Sequence, residues 1–226
     1  MGLKTINDSQ FLCPISAKTS IFMICDVQRR LRDGMYGFDA MIAQIDKMLK
    51  AAPMVGLRTM ATEQVPKGGC EPHGKRDTTV PELDLSSLPK ELNLGTFKKS
   101  MFTMIFDDTE EVLQRVKPKV AILAGMEAHV CILHTALSLL RAGVEVYVLV
   151  DAITSSHRQE TMIAVDRMRQ AGAIITTSEA ILMEFVEDSA DPVFKELCDM
   201  VADTKKASKN ALDVLLEPHM RGQLSR

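Results

Sequence analysis

VAILAGMEAHVCILHTALSLL, residues Val120 to Leu140, is the stretch whose reading decides the fold. Val120 to Ala124 is a short apolar run suited to a strand buried on both faces of a parallel sheet, and Gly125 interrupts it. Val130, Leu133, Leu137 and Leu140 then recur at helical spacing, so a strand gives way to a helix and Cys131 falls in the first turn. That position has chemical consequences. Unpaired backbone N–H groups and the positive end of the helix dipole favour a thiolate there, and they can also hold an oxyanion. A small buried hydrophobe suits the same position, and this stretch alone leaves both readings open.

On either side of this unit, strand patterns alternate with helix patterns. Upstream, residues 1–19 carry little pattern and are expected to form an N-terminal arm. SIFMIC, Ser20 to Cys25, predicts a central buried strand whose carboxyl end presents Asp26, Val27 and Gln28. A polar loop from Arg29 to Tyr36 precedes a helix through Met41, Ile45, Met48 and Leu49 that stops near Pro53. Leu57 to Ala61 predicts a second strand ending at Thr62, Glu63 and Gln64. The stretch from Val65 to Leu94 has no clean periodicity and is long for a plain connection, so it is a lid or binding segment, or, around PKGGCEPHGKRDTT, disordered. Asp108 with Glu111 makes a capping box for a helix over Val112 to Val116.

Downstream, Val144 to Val150 is a strand ending at Asp151, and Ser156 with Gln159 caps a helix running to Gly172. Ala173 to Thr176 is a last short strand, Ser178 opens another helix, and Asp191 to Ala202 forms one more. The pattern predicts right-handed β-α-β units: an α/β, Rossmann-like three-layer α-β-α sandwich with a roughly six-stranded parallel sheet over residues 20–203, and a C-terminal tail over 204–226.

Composition narrows the classes of function. At 226 residues and 46% hydrophobic content the chain can bury one full core. No run reaches the length of a membrane span, and MGLKTINDSQFLCPISAKTS lacks the apolar core of a secretory signal, so the expectation is a cytoplasmic protein with no membrane partner. Five scattered cysteines, Cys13, Cys25, Cys70, Cys131 and Cys198, suggest neither a disulfide framework nor a zinc site and fit a reducing compartment. The 15 methionines sit mostly in apolar periodic segments as core filling. A net charge of −3 with only 4% aromatic residues gives no nucleic-acid footprint, so no nucleic-acid partner is expected.

A hydrolytic cysteine needs a base, a positive group to hold its thiolate, and donors for an oxyanion. Asp26, Lys99 and the turn before Cys131 offer these, although a strand-end cap and a solvated lysine of the Lys98–Lys99 pair are the plainer readings of the first two.

CDVQ at Cys25 to Gln28, KSMFTM at Lys99 to Met104, and GMEAHVCILHTAL at Gly125 to Leu137 resemble, in order and separation, the three motifs of the isochorismatase-like cysteine hydrolases. DAITSSH, Asp151 to His157, and GAIITTSEAIL, Gly172 to Leu182, are similar to the end of the same domain. TEQVPKG, Thr62 to Gly68, and TVPEL, Thr79 to Leu83, resemble the isochorismatase domain-containing proteins within that group. The resemblance implies the isochorismatase-like hydrolase fold and a catalytic triad of Asp26, Lys99 and Cys131. Lys99 is chosen over Lys98 because Phe102 and Thr103 follow it at the family's spacing. It also implies a cis peptide bond at Met126–Glu127 and an oxyanion hole formed around Met126, Glu127 and Cys131.

The reaction so implied is attack by Cys131 on an amide-type carbonyl, with a thioester intermediate and net hydrolysis of a C–N bond. Relatives that cleave a vinyl ether lack the cysteine. Gln28, Gln64 and Phe102 are candidates to touch a small-molecule substrate, although Gln28, like Glu127, equally suits a supporting hydrogen-bond role. Nicotinamidase relatives bind a metal through an aspartate and histidines after the second strand, where this chain has TEQVPKG and only His73 nearby, so neither metal nor cofactor is expected. CEPHGKRD, Cys70 to Asp77, is an apparent insertion at the pocket mouth. His129 and His134 suit surface or satisfied positions, and Lys205, Lys206 and Lys209 a solvated helix face. The resemblance also implies a homo-oligomer, as members of the family usually are. The competing classes are a ribonuclease-like protein using Lys67, Lys75 and Arg76, and a non-catalytic oligomeric scaffold.

Overall fold

A computed structural model describes residues 15–65, 77–186 and 188–216. Six strands form one wholly parallel sheet: β1 (Ser20–Cys25), β2 (Arg58–Gln64), β3 (Asn93–Lys99), β4 (Val120–Gly125), β5 (Glu145–Ile153) and β6 (Ile174–Thr176), in the spatial order β3-β2-β1-β4-β5-β6. The chain winds outward from β1 in one direction through β3 and in the other from β4 to β6. The reversal therefore falls between β1 and β4, where an open α/β sheet leaves a crevice at the carboxyl ends of its strands.

Both central strands are buried along their whole length, as their continuous apolar sequences require. Alternation along β1 divides its side chains between two cores. Phe22 and Ile24 join the layer of α1 (Phe38–Val55), α5 (Ser178–Val186) and α6 (Pro192–Leu215). Ile21, Met23 and Cys25 join the opposite layer, with α3 (Leu133–Arg141) and α4 (Arg158–Gln170). Leu113 of α2 (Asp107–Val116) packs on that second core. Full burial of a side chain such as Ile21 or Phe22 contributes about 1.5–3 kcal/mol, so the two cores together fix the strand ends that carry the polar groups. Among the described residues, no helix is long and apolar enough to cross a membrane.

Several boundaries differ from the sequence pattern. Pro53 lies inside the last turn of α1, which continues to Val55 and closes at Gly56 in the left-handed conformation. The capping interaction of α2 comes from Thr109, whose Oγ1 accepts from the Phe106 N–H at 3.0 Å, and not from the Asp108–Glu111 pair. α4 begins at Arg158 with His157 as its cap residue, one position after the expected Ser156. α6 runs past residue 203 to Leu215. The charged run TKKASKN conceals that Ser208, Ala211 and Leu215 return to the same buried face at helical spacing.

Arg29–Gly34, expected as loop, is a 3₁₀ helix, and so is Leu85–Ser87 within the long connection after β2. Residues 66–76, which include His73 and most of the apparent insertion, lie outside the described residues, as do 1–14 of the arm and 217–226 of the tail.

Candidate active site

The register of the sheet brings the polar strand ends together. Cys25 pairs with Thr62 on one side and Gly125 on the other, and Gln64 pairs with Lys99. Asp26 follows Cys25, and there the chain turns: Asp26 takes φ 52°, in the left-handed region that aspartate tolerates better than most residues. Strict alternation would have sent consecutive side chains to opposite faces. The turn instead leaves Cys25 Sγ 3.4 Å from Asp26 Oδ2.

Asp26 is 2% exposed, and its carboxylate is held from two sides. Thr62 Oγ1 donates to Oδ1 at 2.8 Å, and Lys99 Nζ donates to Oδ2 at 2.6 Å. The Lys99 ammonium is fully enclosed and also lies 2.6 Å from Gln64 Oε1, 3.1 Å from the Met101 carbonyl and 3.6 Å from Cys131 Sγ. Burial pulls the Lys99 pKa down, but the acidic groups Cys25, Asp26 and Cys131 outweigh burial together and hold it above its usual range. The lysine therefore stays cationic at neutral pH, within reach of both the carboxylate and the thiol.

Cys131 is 8% exposed, in a π-helical turn over Ala128–Ile132 that leads into α3. Irregular turns of this kind occur frequently at functional sites. Gly125, at φ 112°, ends β4 so close to β1 that a Cβ there would stand 2.2 Å from the Cys25 carbonyl oxygen. Met126 then donates its N–H to that oxygen at 2.9 Å, and the Met126–Glu127 peptide bond is cis. On the far side, Thr135 Oγ1 donates to the Cys131 carbonyl at 2.7 Å and accepts from the Met104 N–H at 2.9 Å, tying the segment after Lys99 to the cysteine helix.

Other candidates take distinct places. Gln28 is buried and ties backbones together: Nε2 donates to the Gln64 and Asp77 carbonyls, and Oε1 accepts from the Gln64 N–H. Gln64 spans from Lys99 to the Ser100 carbonyl, so its side chain positions the lysine. Glu127 accepts from the Ser156 N–H at 2.9 Å and lies against the segment after β5. Phe102 is 55% exposed, with its ring 5.7 Å from that of His134, and Met101 beside it is 54% exposed. His129 pairs with Ser155 Oγ at 3.0 Å.

Sequence reasoning assigned no role to Thr62, Thr135 or Cys25. A polar residue at a strand's carboxyl end was the available signal for Thr62. Cys25 stood inside a quoted motif, on the core face it shares with Cys131, and the turn at Asp26 brings the carboxylate to that same side.

The donors Cys25 Sγ, the Asp26 carboxylate and Cys131 Sγ lie within 4.8 Å of one another, a spacing open to a soft divalent ion. The Lys99 ammonium, 2.6 Å from that same carboxylate, already holds the cation position and would have to leave first. Chemically, the arrangement offers an enclosed thiol, a permanent cation beside it and a carboxylate able to receive a proton.

Residues 20–180 match the family model described as the isochorismatase domain. The mouse "Isochorismatase domain-containing protein 2B" is 35% identical over 81% of this chain and 81% of its own length. The zebrafish "Isochorismatase domain-containing protein 1" is 34% identical over 83% of this chain, which spans only 62% of that relative. Among solved structures, the Caenorhabditis elegans protein described as "MAR1 Ribonuclease" superposes with a TM-score of 0.74 at 34% identity, covering 84% of this chain and 93% of the other.

Proposed function

Since this chain belongs to the isochorismatase family, we propose that it is a cysteine-dependent hydrolase of a small molecule, cleaving an amide-type C–N bond through a thioester on Cys131. The observation that carries the reading is the enclosed Lys99 ammonium, 2.6 Å from Asp26 and 3.6 Å from the Cys131 sulfur. In the reading's first step Asp26 receives the Cys131 proton while Lys99 holds the thiolate as an ion pair. The thiolate attacks the carbonyl carbon, and the N–H groups of Glu127 and Cys131 receive the developing oxyanion, the Met126 N–H being already given to the Cys25 carbonyl. As the tetrahedral intermediate collapses, the C–N bond breaks, Asp26 returns the proton to the leaving amine, and a thioester remains. Water, deprotonated by Asp26, attacks the thioester, and the acid departs as the thiol is restored. The sum is one amide and one water giving one acid and one amine. Phe102 and Met101, exposed beside the lysine loop, are proposed to line the approach. Burial of the reacting groups and free thiols at Cys25 and Cys131 support a reducing, cytoplasmic setting.

The test is the rate of Cys131 alkylation at pH 7, followed by a screen of amides for an acyl adduct on Cys131 by mass spectrometry. Single-site labelling faster than that of a free thiol is expected, lost in Cys131→Ser and slowed about tenfold or more in Lys99→Ala, the worth of one charge-assisted hydrogen bond. Labelling no faster than an ordinary thiol in a folded protein sinks the reading and favours a non-catalytic scaffold. A second reading, RNA cleavage, is favoured by the description of the C. elegans structure. RNA cleavage that persists in Cys131→Ser would replace the amide reading with it.

A further inference from the structure

Cys25 has no task in the hydrolysis proposed above, yet it is a thiol enclosed beside the nucleophile. As the last residue of β1 it faces the same core as Cys131 and is 0% exposed. Its sulfur, the Cys131 sulfur and the Asp26 carboxylate lie within 4.8 Å of one another, and its S–H points to Asp26 Oδ2 at 3.4 Å. A disulfide needs its sulfurs about 2.05 Å apart, so closure asks for an approach of under about 3 Å. Rotation of two short side chains gives movement on that scale. Cys131 stands in an irregular turn, and Cys25 at the end of its strand, where one further residue already leaves the extended conformation.

We propose that Cys25 is the resolving thiol for Cys131, so that the pair is an oxidative modification site which a hydroperoxide converts to a Cys25–Cys131 disulfide. The proposal rests on the reading of Cys131 as a reactive thiolate. In the first step the Cys131 thiolate attacks one peroxide oxygen. The O–O bond breaks, Cys131 becomes a sulfenic acid, and the departing hydroxide takes a proton to leave as water. In the second, Asp26 takes the Cys25 proton, Cys25 sulfur attacks the Cys131 sulfur, and the hydroxyl leaves with that proton as a second water. Two thiols and one hydrogen peroxide thus give one disulfide and two waters. The sulfur that would attack substrate is blocked, and a dithiol reverses the bond.

The alternative fate of a sulfenic acid is further oxidation to sulfinic acid, which dithiols do not reverse. A neighbouring thiol diverts the first oxidation product before that step. Burial chiefly, with the neighbouring Cys131 sulfur and the charge of Asp26, pushes the Cys25 thiol well above its usual range. Cys25 therefore keeps its proton at rest and leaves substrate chemistry to Cys131.

The experiment treats the full chain with a small excess of hydrogen peroxide, blocks free thiols, and maps peptides by mass spectrometry before and after dithiothreitol. The expected result is a peptide pair linking Cys25 to Cys131, two hydrogens lighter than the free thiols, with Cys131 labelling restored by dithiothreitol. In Cys25→Ser, and in Cys25→Ala as a second variant should the first misfold, the link is absent and Cys131 is found as sulfinic acid. At least tenfold less Cys131 is then recovered as thiol. Alkylation of Cys131 without peroxide is measured in parallel. Slow alkylation brings down the hydrolase reading and the inference with it. Fast alkylation overturns the inference alone if peroxide yields sulfinic Cys131 with no link to Cys25, or a link from Cys131 to Cys13, Cys70 or Cys198.

Discussion

Replacing Lys99 by methionine keeps most of the side-chain volume and removes only the charge. Asp26, with its side chain 3% exposed, then keeps the hydroxyl of Thr62 at 2.8 Å and the thiol of Cys25 but has lost its cation. Breaking a buried pair from one side costs about 3–5 kcal/mol, because the remaining charge is left unpaired. Asp26→Asn breaks the pair from the other side, leaving an enclosed ammonium with Gln64 and the Met101 carbonyl as partners. The double variant Asp26→Asn/Lys99→Met removes both charges and with them the penalty that each single change exposes. It is therefore expected to cost about 2 kcal/mol or more less than the sum of the two singles.

The assay is urea unfolding at pH 7, followed by circular dichroism, on the three variants and on Lys98→Met. Lys98 is the exposed neighbour of Lys99, so its replacement is expected to change stability by no more than about 0.5 kcal/mol. A Lys99→Met cost below about 1 kcal/mol, or strict additivity in the cycle, would refute the claim that this pair is buried and coupled. A larger effect from Lys98→Met than from Lys99→Met would overturn the choice of lysine itself.

Two further outcomes follow from the geometry. Gly125→Ala forces a Cβ to within 2.2 Å of the Cys25 carbonyl at φ 112°, so the ends of β4 and β1 must part; urea unfolding is expected to show a loss of about 3 kcal/mol or more. Gly143→Ala, at φ 78° with open space around a Cβ, is expected to cost only about 1–2 kcal/mol; equal losses at the two sites would refute the close approach. Lys47 is buried beside a cavity of about 310 Å³, with its Nζ 3.0 Å from Ser208 Oγ and with Asp151 and Glu179 facing it. Burial lowers its pKa in the folded state despite those two carboxylates, so between the lowered folded value and the ordinary lysine value the unfolded chain binds more protons. Stability attributable to Lys47 therefore climbs as pH rises through that alkaline window and levels off above it. The difference in stability between the native chain and Lys47→Met, measured by urea unfolding across the window, must rise with pH; a flat or falling difference refutes the burial argument.

Five of the six strands were legible because they are of the kind that sequence marks best; the edge strand β3, NLGTFKK, was not, since most of it is only half-buried or exposed. SIFMIC and VAILA are continuous apolar runs bounded by polar or glycine residues, and a parallel strand buried on both faces permits little else. The end of α6 was not legible, because TKKASKN is mostly polar and its one buried residue is a serine, Ser208. Pro53 misled more narrowly: proline signals a stop, and the helix runs on past it for only two residues, Met54 and Val55. Ser156 misled as a cap because the segment before α4 stays extended one residue longer, through His157.

The site was legible as a set of residues but not as a set of contacts. Lys99 and Cys131 stand 73 and 105 positions after Asp26, and a sequence pattern does not say which of two adjacent lysines faces inward. Register decides that: Lys99 pairs with Gln64 and is enclosed, and Lys98 pairs with Glu63 and lies exposed. Register also places Gln64 beside Lys99, whose ammonium donates to its Oε1 at 2.6 Å. Cys25 is the sharpest case. A residue that closes a buried strand belongs to the core by every local rule, and alternation keeps it from sharing a face with its successor. The left-handed turn at Asp26 cancels that separation, bringing the Cys25 thiol and the Asp26 carboxylate into contact. Two contacts of the carboxylate therefore depend on a single backbone dihedral: Lys99 at 2.6 Å, and the Cys25 thiol at 3.4 Å.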